Sequence, residues 1–170
     1  MKRFLILLAL LGACRDEEVA VPDPVPLTAE ATSHYCQMNL AEHGGPKAQI
    51  HLKGYLVPLF FSQVRDALAY MKGPERDAEI LVAYVSDMGA APSWDAPGVD
   101  NWIRMDEAVF VVGADVKGGM GAPEIVPFAS RAAADAFAAK HGAEVMNFEA
   151  IPPSAVLGAV EITLPGEDGQ

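Results

Sequence analysis

The sequence predicts an α+β protein of two related subdomains, each with strands around one helix, and three observations carry that expectation. Two helical segments lie far apart in the chain, β-type runs flank both, and similar words introduce them. The first word is Gly54-Tyr55-Leu56-Val57-Pro58-Leu59-Phe60-Phe61-Ser62. The second is Gly121-Ala122-Pro123-Glu124-Ile125-Val126-Pro127-Phe128-Ala129-Ser130. The shared Gly, Val-Pro, Phe and Ser point to an internal duplication.

Taken in chain order, Lys2 and Arg3 precede an apolar run from Phe4 to Leu11 and then Gly12-Ala13-Cys14. The run is much shorter than the ~20 residues of a membrane-spanning helix, so residues 1–13 read as a signal peptide ending in a lipobox. Cys14 would then be acylated, and acyl chains contribute about 0.8 kcal/mol per buried methylene toward membrane attachment. The expected location is the periplasmic face of a membrane, with the outer membrane favoured over the inner. Residues 14–33, acidic and spaced by Pro22, Pro24 and Pro26, read as the acylated cysteine and a flexible tether.

The first subsystem of strands and helix is expected over residues 34–88. Gln49 to Tyr55 alternates, with Ile50 and Leu52 facing inward and His51 toward solvent, as a half-buried strand does. Ser62 is placed to cap a helix from Gln63 to Lys72, with Val64, Leu68 and Met71 on one face and Gly73-Pro74 as the stop. Glu79 to Val85 is a nearly continuous apolar run that suits a buried strand. Residues 89–106 form a connector whose Trp94 and Trp102 are expected to seal the seam between the subdomains.

The second subdomain is expected over residues 107–164, with strands at Ala108 to Val112 and Glu144 to Ile151. Ser130 caps a helix from Arg131 to His141, and Gly142 ends it. His141 at the helix end reads as structural. Residues 165–170 read as a disordered tail.

Loss of the signal peptide removes two of the 12 basic residues and leaves 10 against 23 acidic ones, a net charge of −13. Such a surface disfavours nucleic acid and anionic lipid headgroups and tolerates a cationic partner or a metal ion. No Ser/His/Asp order, phosphate-binding loop or paired-carboxylate motif stands out, so no enzyme is expected.

The chain has two cysteines, and acylation of Cys14 would leave Cys36 unpaired in an oxidising compartment. Cys36 and Met38 are two residues apart, which on an extended strand directs both side chains to one face. A thiolate beside a thioether suits Cu(I) far better than calcium or magnesium. Met120, flanked by glycines in Lys117-Gly118-Gly119-Met120-Gly121, is a third candidate sulfur or a loop methionine packed under a strand. Met71, Met105 and Met146 lie in or beside periodic elements and read as core, while Met88 is open. His34 lies nearest Cys36 and is a candidate further ligand; His43 lies in a Gly-rich turn.

The lipobox, Cys36-x-Met38 and Met120-Gly121-x-x-Glu124-x-x-Pro127-Phe128 together resemble the NosL family over most of the mature chain. That resemblance implies two ββαβ-type units, a distant fold likeness to organomercurial lyases, and a lipoprotein that acts as copper chaperone in nitrous oxide reductase assembly during denitrification. It places one Cu(I) per monomer on Cys36, Met38 and Met120, with a histidine as a further ligand. The implied partners are nitrous oxide reductase, its copper-delivery transporter complex, or both. Two other readings stand beside it: a thiol-dependent organometal lyase, which would need a second thiol or an acid to finish turnover, and a structural lipoprotein dimerising through Cys36.

Overall fold

The computed structural model describes residues 20–160 apart from Glu75; the segment read as signal peptide, the expected acylation site Cys14 and the segment read as tail lie outside the described residues. Two antiparallel sheets organise the chain. The first is built from β1 (Ala48–Leu52), β2 (Leu59–Phe61), β3 (Ile80–Ser86) and β4 (Trp102–Arg104), in the order β2-β1-β3-β4. The second is built from β5 (Val109–Val112), β6 (Val126–Phe128) and β7 (Glu144–Asn147), in the order β6-β5-β7. Helix α1 (Val64–Lys72) links β2 to β3, and α2 (Arg131–His141) links β6 to β7. Both units therefore run β-β-α-β with the first strand central, and β4 extends only the first sheet. Two 3-10 turns, Leu40–Glu42 and Phe148–Ala150, and a short helix α3 (Ser154–Leu157) complete the described elements. Among the described residues no helix is long and apolar enough to cross a membrane.

Strand register puts the apolar side chains of the first sheet on one face. Ala48 stands opposite Phe61 and Val85, and Ile50 opposite Leu59 and Ala83. Against that face pack Val64 and Leu68 of α1, together with Phe110, Ile125, Ile151 and Val156 from the second half of the chain. The two units thus share their main core. Alternate residues of the second sheet face the other way, where Val111, Val126 and Phe128 pack with Ala134 and Ala138 of α2 into a smaller cluster. Trp94 joins this cluster, and its backbone carbonyl accepts a hydrogen bond from Gly45 at 2.7 Å, so it ties the two units together as expected. Trp102 sits in β4 opposite Ser86, with its indole N–H buried and without a partner among the described residues.

The helices show what local sequence does and does not specify. α2 has the predicted ends: the Ser130 hydroxyl accepts from Ala133 N–H, and Gly142 takes the left-handed conformation at φ 62°. α1 starts one residue later than expected, and Ser62 does not cap it. Gln63 occupies the cap position without a side-chain cap bond. The cap comes from Glu124 instead, whose carboxylate accepts from Arg65 N–H at 2.9 Å and from Val64 N–H at 3.3 Å. Free N–H groups and the positive end of a helix attract a carboxylate wherever in the chain it comes from.

Two further expectations are corrected. β1 is buried along its whole length, so His51 is not solvent-facing. Part of the segment read as tether covers it: the Gln49 side chain pairs with both the N–H and the C=O of Val25, Leu27 N–H bonds the Val99 carbonyl, and Tyr84 donates to the Pro22 carbonyl. Prolines at 22, 24 and 26 leave only alternate residues able to donate, and Val25 and Leu27 are the donors observed. Under this strap His51 bonds Gln49 at 3.0 Å and stands edge-on to Tyr84. The second correction concerns Cys36 and Met38, which lie on a turn rather than an extended strand.

Candidate metal site

Residues 33–38 fold into a tight reversal. Ser33 N–H bonds the Met38 carbonyl at 2.9 Å, Gln37 N–H bonds the Ser33 carbonyl at 2.9 Å, and Gln37 itself takes a positive φ of 57°. A bridge between Thr32 and Asn39 closes the base. The reversal is pinned to β2, because His34 N–H bonds the Phe60 carbonyl and Ser62 N–H bonds the Ser33 hydroxyl. Tyr35 lies edge-on against Phe61, and the His34 ring packs among Tyr35, Phe61 and Tyr70 at centroid distances of 5.4 to 5.8 Å.

This frame holds Cys36 half-buried, with its sulfur 3.8 Å from the Ser62 hydroxyl. Burial is the largest single influence on the thiol and raises its pKa. Hydrogen bonding from the Ser33 hydroxyl, the Met38 backbone, the Ser62 hydroxyl and the backbone of Cys36 itself outweighs it, and the thiol ends below its ordinary range. A lowered pKa favours the thiolate, which is the form that binds soft metals. Met38 is exposed over 44% of its surface. It stands two residues along the same turn.

Met120 reaches the same neighbourhood from the second unit. Its loop is a compact turn in which Gly118 N–H bonds the Ala122 carbonyl and Gly121 N–H bonds the Gly118 carbonyl. The loop lies directly on the start of α1. A Cβ added to Gly118 would come within 2.6 Å of Gln63 Oε1, and one added to Gly119 would meet His43 Cβ at 2.6 Å and the Ser62 carbonyl at 3.1 Å. Met120 N–H donates to Gln63 Oε1 at 3.1 Å, and the side chain remains 37% exposed. Ser62 and Gln63, adjacent in the chain, therefore touch Cys36 and hold Met120 respectively. Met71 and Met146 pack against the main core and Met105 lies within it, as expected, while Met88 packs against the smaller cluster.

His43 is the residue that sequence reasoning passed over. Among the described residues its buried Nε2 finds no hydrogen-bond partner, and its Cβ lies where a side chain at Gly119 would have to go. A buried imidazole nitrogen without a partner is costly, and such a group calls for a ligand or an explanation. The His43 loop is held by Lys47, 1% exposed, whose ammonium donates to the carbonyls of His43, Gly44, Gly45 and Ser62 at 2.7 to 3.3 Å. Burial pushes its pKa down to about 8. His141 stacks on Phe137 at 4.3 Å at the end of α2, a structural position.

Among the described residues no group of three or more His, Cys, Asp or Glu side chains is arranged to hold a metal. What the fold brings together are the Cys36 sulfur at Ser62, the backbone of Met120 at the adjacent Gln63, and the His43 side chain against Gly119. A thiol, a thioether and an imidazole are poor donors for hard cations.

The family model of NosL matches residues 24–156, spanning most of the strap, the Cys36 turn and the Met120 loop. The chain belongs to the NosL family. It is 56% identical over 155 residues to the copper-binding lipoprotein NosL of Achromobacter cycloclastes, covering 91% of this chain and 80% of that protein. It is 32% identical over 148 residues to the copper-binding lipoprotein NosL of Stutzerimonas stutzeri, covering 86% and 76%. Among solved structures it resembles the crystal structure of the copper chaperone NosL from Shewanella denitrificans, with a TM-score of 0.71 and 29% identity over 76% of this chain and 95% of that one. The solution structure of apo-NosL from Achromobacter cycloclastes aligns with a TM-score of 0.50 and 52% identity, over 72% and 94%. The α+β architecture with two antiparallel sheets is thus the architecture of NosL.

Proposed function

We propose that this NosL-family chain is a Cu(I)-binding metallochaperone, lipid-anchored through Cys14 at the periplasmic face of a membrane, that supplies copper for maturation of nitrous oxide reductase. The single observation that supports the metal reading is that the Cys36 sulfur and the Met120 backbone contact the adjacent residues Ser62 and Gln63, with the His43 side chain packed against the Met120 loop at Gly119. The relatives' description as copper-binding lipoproteins and a copper chaperone supports it.

In this reading Cys36 is the thiolate anchor, Met38 and Met120 are thioether donors, and His43 has a stronger claim than His34 to be the nitrogen donor. His34 is engaged with three aromatic rings, whereas His43 Nε2 has no hydrogen-bond partner among the described residues. Soft donors retain Cu(I), and low coordination number permits transfer by ligand exchange. The exposure of Met38 and Met120 gives an incoming donor from a recipient access to the ion. Recipients of this cargo are nitrous oxide reductase itself or the transporter complex that delivers its copper.

Anaerobic Cu(I) competition titration tests the metal reading: wild type takes up one equivalent, and Cys36→Ser loses high-affinity uptake. Retention of wild-type affinity and stoichiometry by Cys36→Ser sinks it. Anchoring is tested separately, because Cys14→Ser should move the protein from the membrane fraction to the soluble periplasm.

A further inference from the structure

Gln63 is an unusual residue with which to begin a helix. At the cap position it makes no cap bond, and glutamine is not among the side chains favoured there. Glu124 supplies the cap in its place. The Gln63 side chain is nevertheless buried to 3% exposure, and both ends of its amide are engaged. Oε1 accepts from Met120 N–H at 3.1 Å, and Nε2 donates to Asp66 Oδ1 at 2.9 Å. One residue earlier, Ser62 contacts the Cys36 sulfur and its carbonyl accepts from Lys47.

We infer that Gln63 is a positioning residue for the metal site, holding the Met120 loop at a fixed place relative to the Cys36 turn without itself binding the ion. This inference rests on the reading of Cys36 and Met120 as ligands. The two ligands come from different units, and the glycine-rich turn that carries Met120, closed by its own backbone hydrogen bonds, meets the start of α1 through Gln63. Gly118 and Gly119 let that turn approach α1 closely; the Gln63 amide fixes where it stops. Asp66 orients the amide in turn, so that its oxygen and not its nitrogen faces the Met120 N–H. Preorganisation of this kind raises affinity by removing the cost of ordering a ligand when the ion arrives.

The test compares Cu(I) affinity and the number of sulfur scatterers, by X-ray absorption, for wild type, Met120→Leu, Gln63→Leu and the double variant. The swap Gln63→Glu with Asp66→Asn joins them, since it keeps both hydrogen bonds with the Asp66-side donor and acceptor exchanged. Gln63→Leu should weaken Cu(I) binding about three- to tenfold, the usual worth of one hydrogen bond, and reduce the Met contribution to the sulfur shell. In the Met120→Leu background the same change should have no further effect on affinity, and the swap should restore binding toward wild type. If Gln63→Leu folds less stably yet binds Cu(I) with wild-type affinity and sulfur count, Gln63 is only structural and the inference fails. An equal loss on top of Met120→Leu overturns it as well. If Met120→Leu itself leaves affinity and sulfur count unchanged, the ligand reading fails first, and the inference with it.

Discussion

Replacing Glu124 by glutamine should change the pH dependence of stability more than its average level. The Glu124 carboxyl is fully buried, and burial is the main reason its pKa is raised to about 8 from 4.5, against the opposing N–H groups of Arg65, Ile125 and Val64. A group whose pKa is raised by folding stabilises the protein fully below the unfolded value and loses that stabilisation as pH rises through the folded value. The window is therefore pH 4.5 to 8, and stability falls across it by up to about 1.4 kcal/mol per pH unit, or roughly 4 to 5 kcal/mol in total. Glutamine does not titrate, so Glu124→Gln removes this slope. It also turns an N–H group toward Val64 N–H where an oxygen of the carboxyl group accepted, at a cost of about 1 to 3 kcal/mol. Glu124→Gln should thus be less stable than wild type near pH 5 and more stable near pH 8, so that the two stability curves cross. Asp66, also raised by burial, titrates in both proteins, and its charge is one of the causes that raise Glu124. Lys47, depressed to about 8, contributes only above that pH. Urea unfolding at intervals between pH 5 and 8 measures the difference directly. A constant difference between the two proteins across that range would refute the account of Glu124 as a buried titrating cap.

Three other outcomes follow from the same geometry. Gly118→Ala puts a methyl within 2.5 to 2.9 Å of Glu124 Oε2 and Gln63, and should cost about 1 to 3 kcal/mol in urea unfolding and weaken Cu(I) binding. Lys47→Met removes the donor shared by four carbonyls and should lower stability by about 2 to 4 kcal/mol, read as a drop in the urea midpoint without a change in slope. Cys36, its thiol pKa lowered, should be alkylated by iodoacetamide with a pH midpoint below that of an ordinary cysteine, and one equivalent of Cu(I) should protect it.

Much of the fold is legible in the sequence because its signals are local. α2 carries its own cap and its own stop, and it appears between the expected residues. The start of α1 is misplaced by one because its cap lies some 60 positions away, beyond the reach of any local rule. Burial of His51 was hidden for a similar reason: alternation along β1 reports the strand, but the strap that covers its polar face comes from 20 and more residues upstream. At the site, chemistry was easier to read than shape. The candidate sulfur donors stand out by type, yet the spacing of Cys36 and Met38 suggested a strand face, and the left-handed Gln37 that makes a turn of it leaves no periodic trace. His43 had one available signal. The pairs Gly44-Gly45 and Gly118-Gly119 mark places where loops approach closely, with Trp94 and Asp95 against the first pair and Gln63, Glu124 and His43 against the second. Glycine pairs bracketing a histidine and a methionine pointed to one crowded locus, which periodicity could not reveal.

The central claim is that Cys36, Met38, Met120 and His43 form one soft site, and X-ray absorption of anaerobically Cu(I)-loaded protein tests it most directly. One copper per chain is predicted, in a shell dominated by sulfur with a single nitrogen. Met120→Leu should remove one sulfur from that shell, and His43→Ala should remove the nitrogen while leaving the sulfurs. A shell of nitrogen and oxygen alone, or one unchanged by either substitution, would contradict the account.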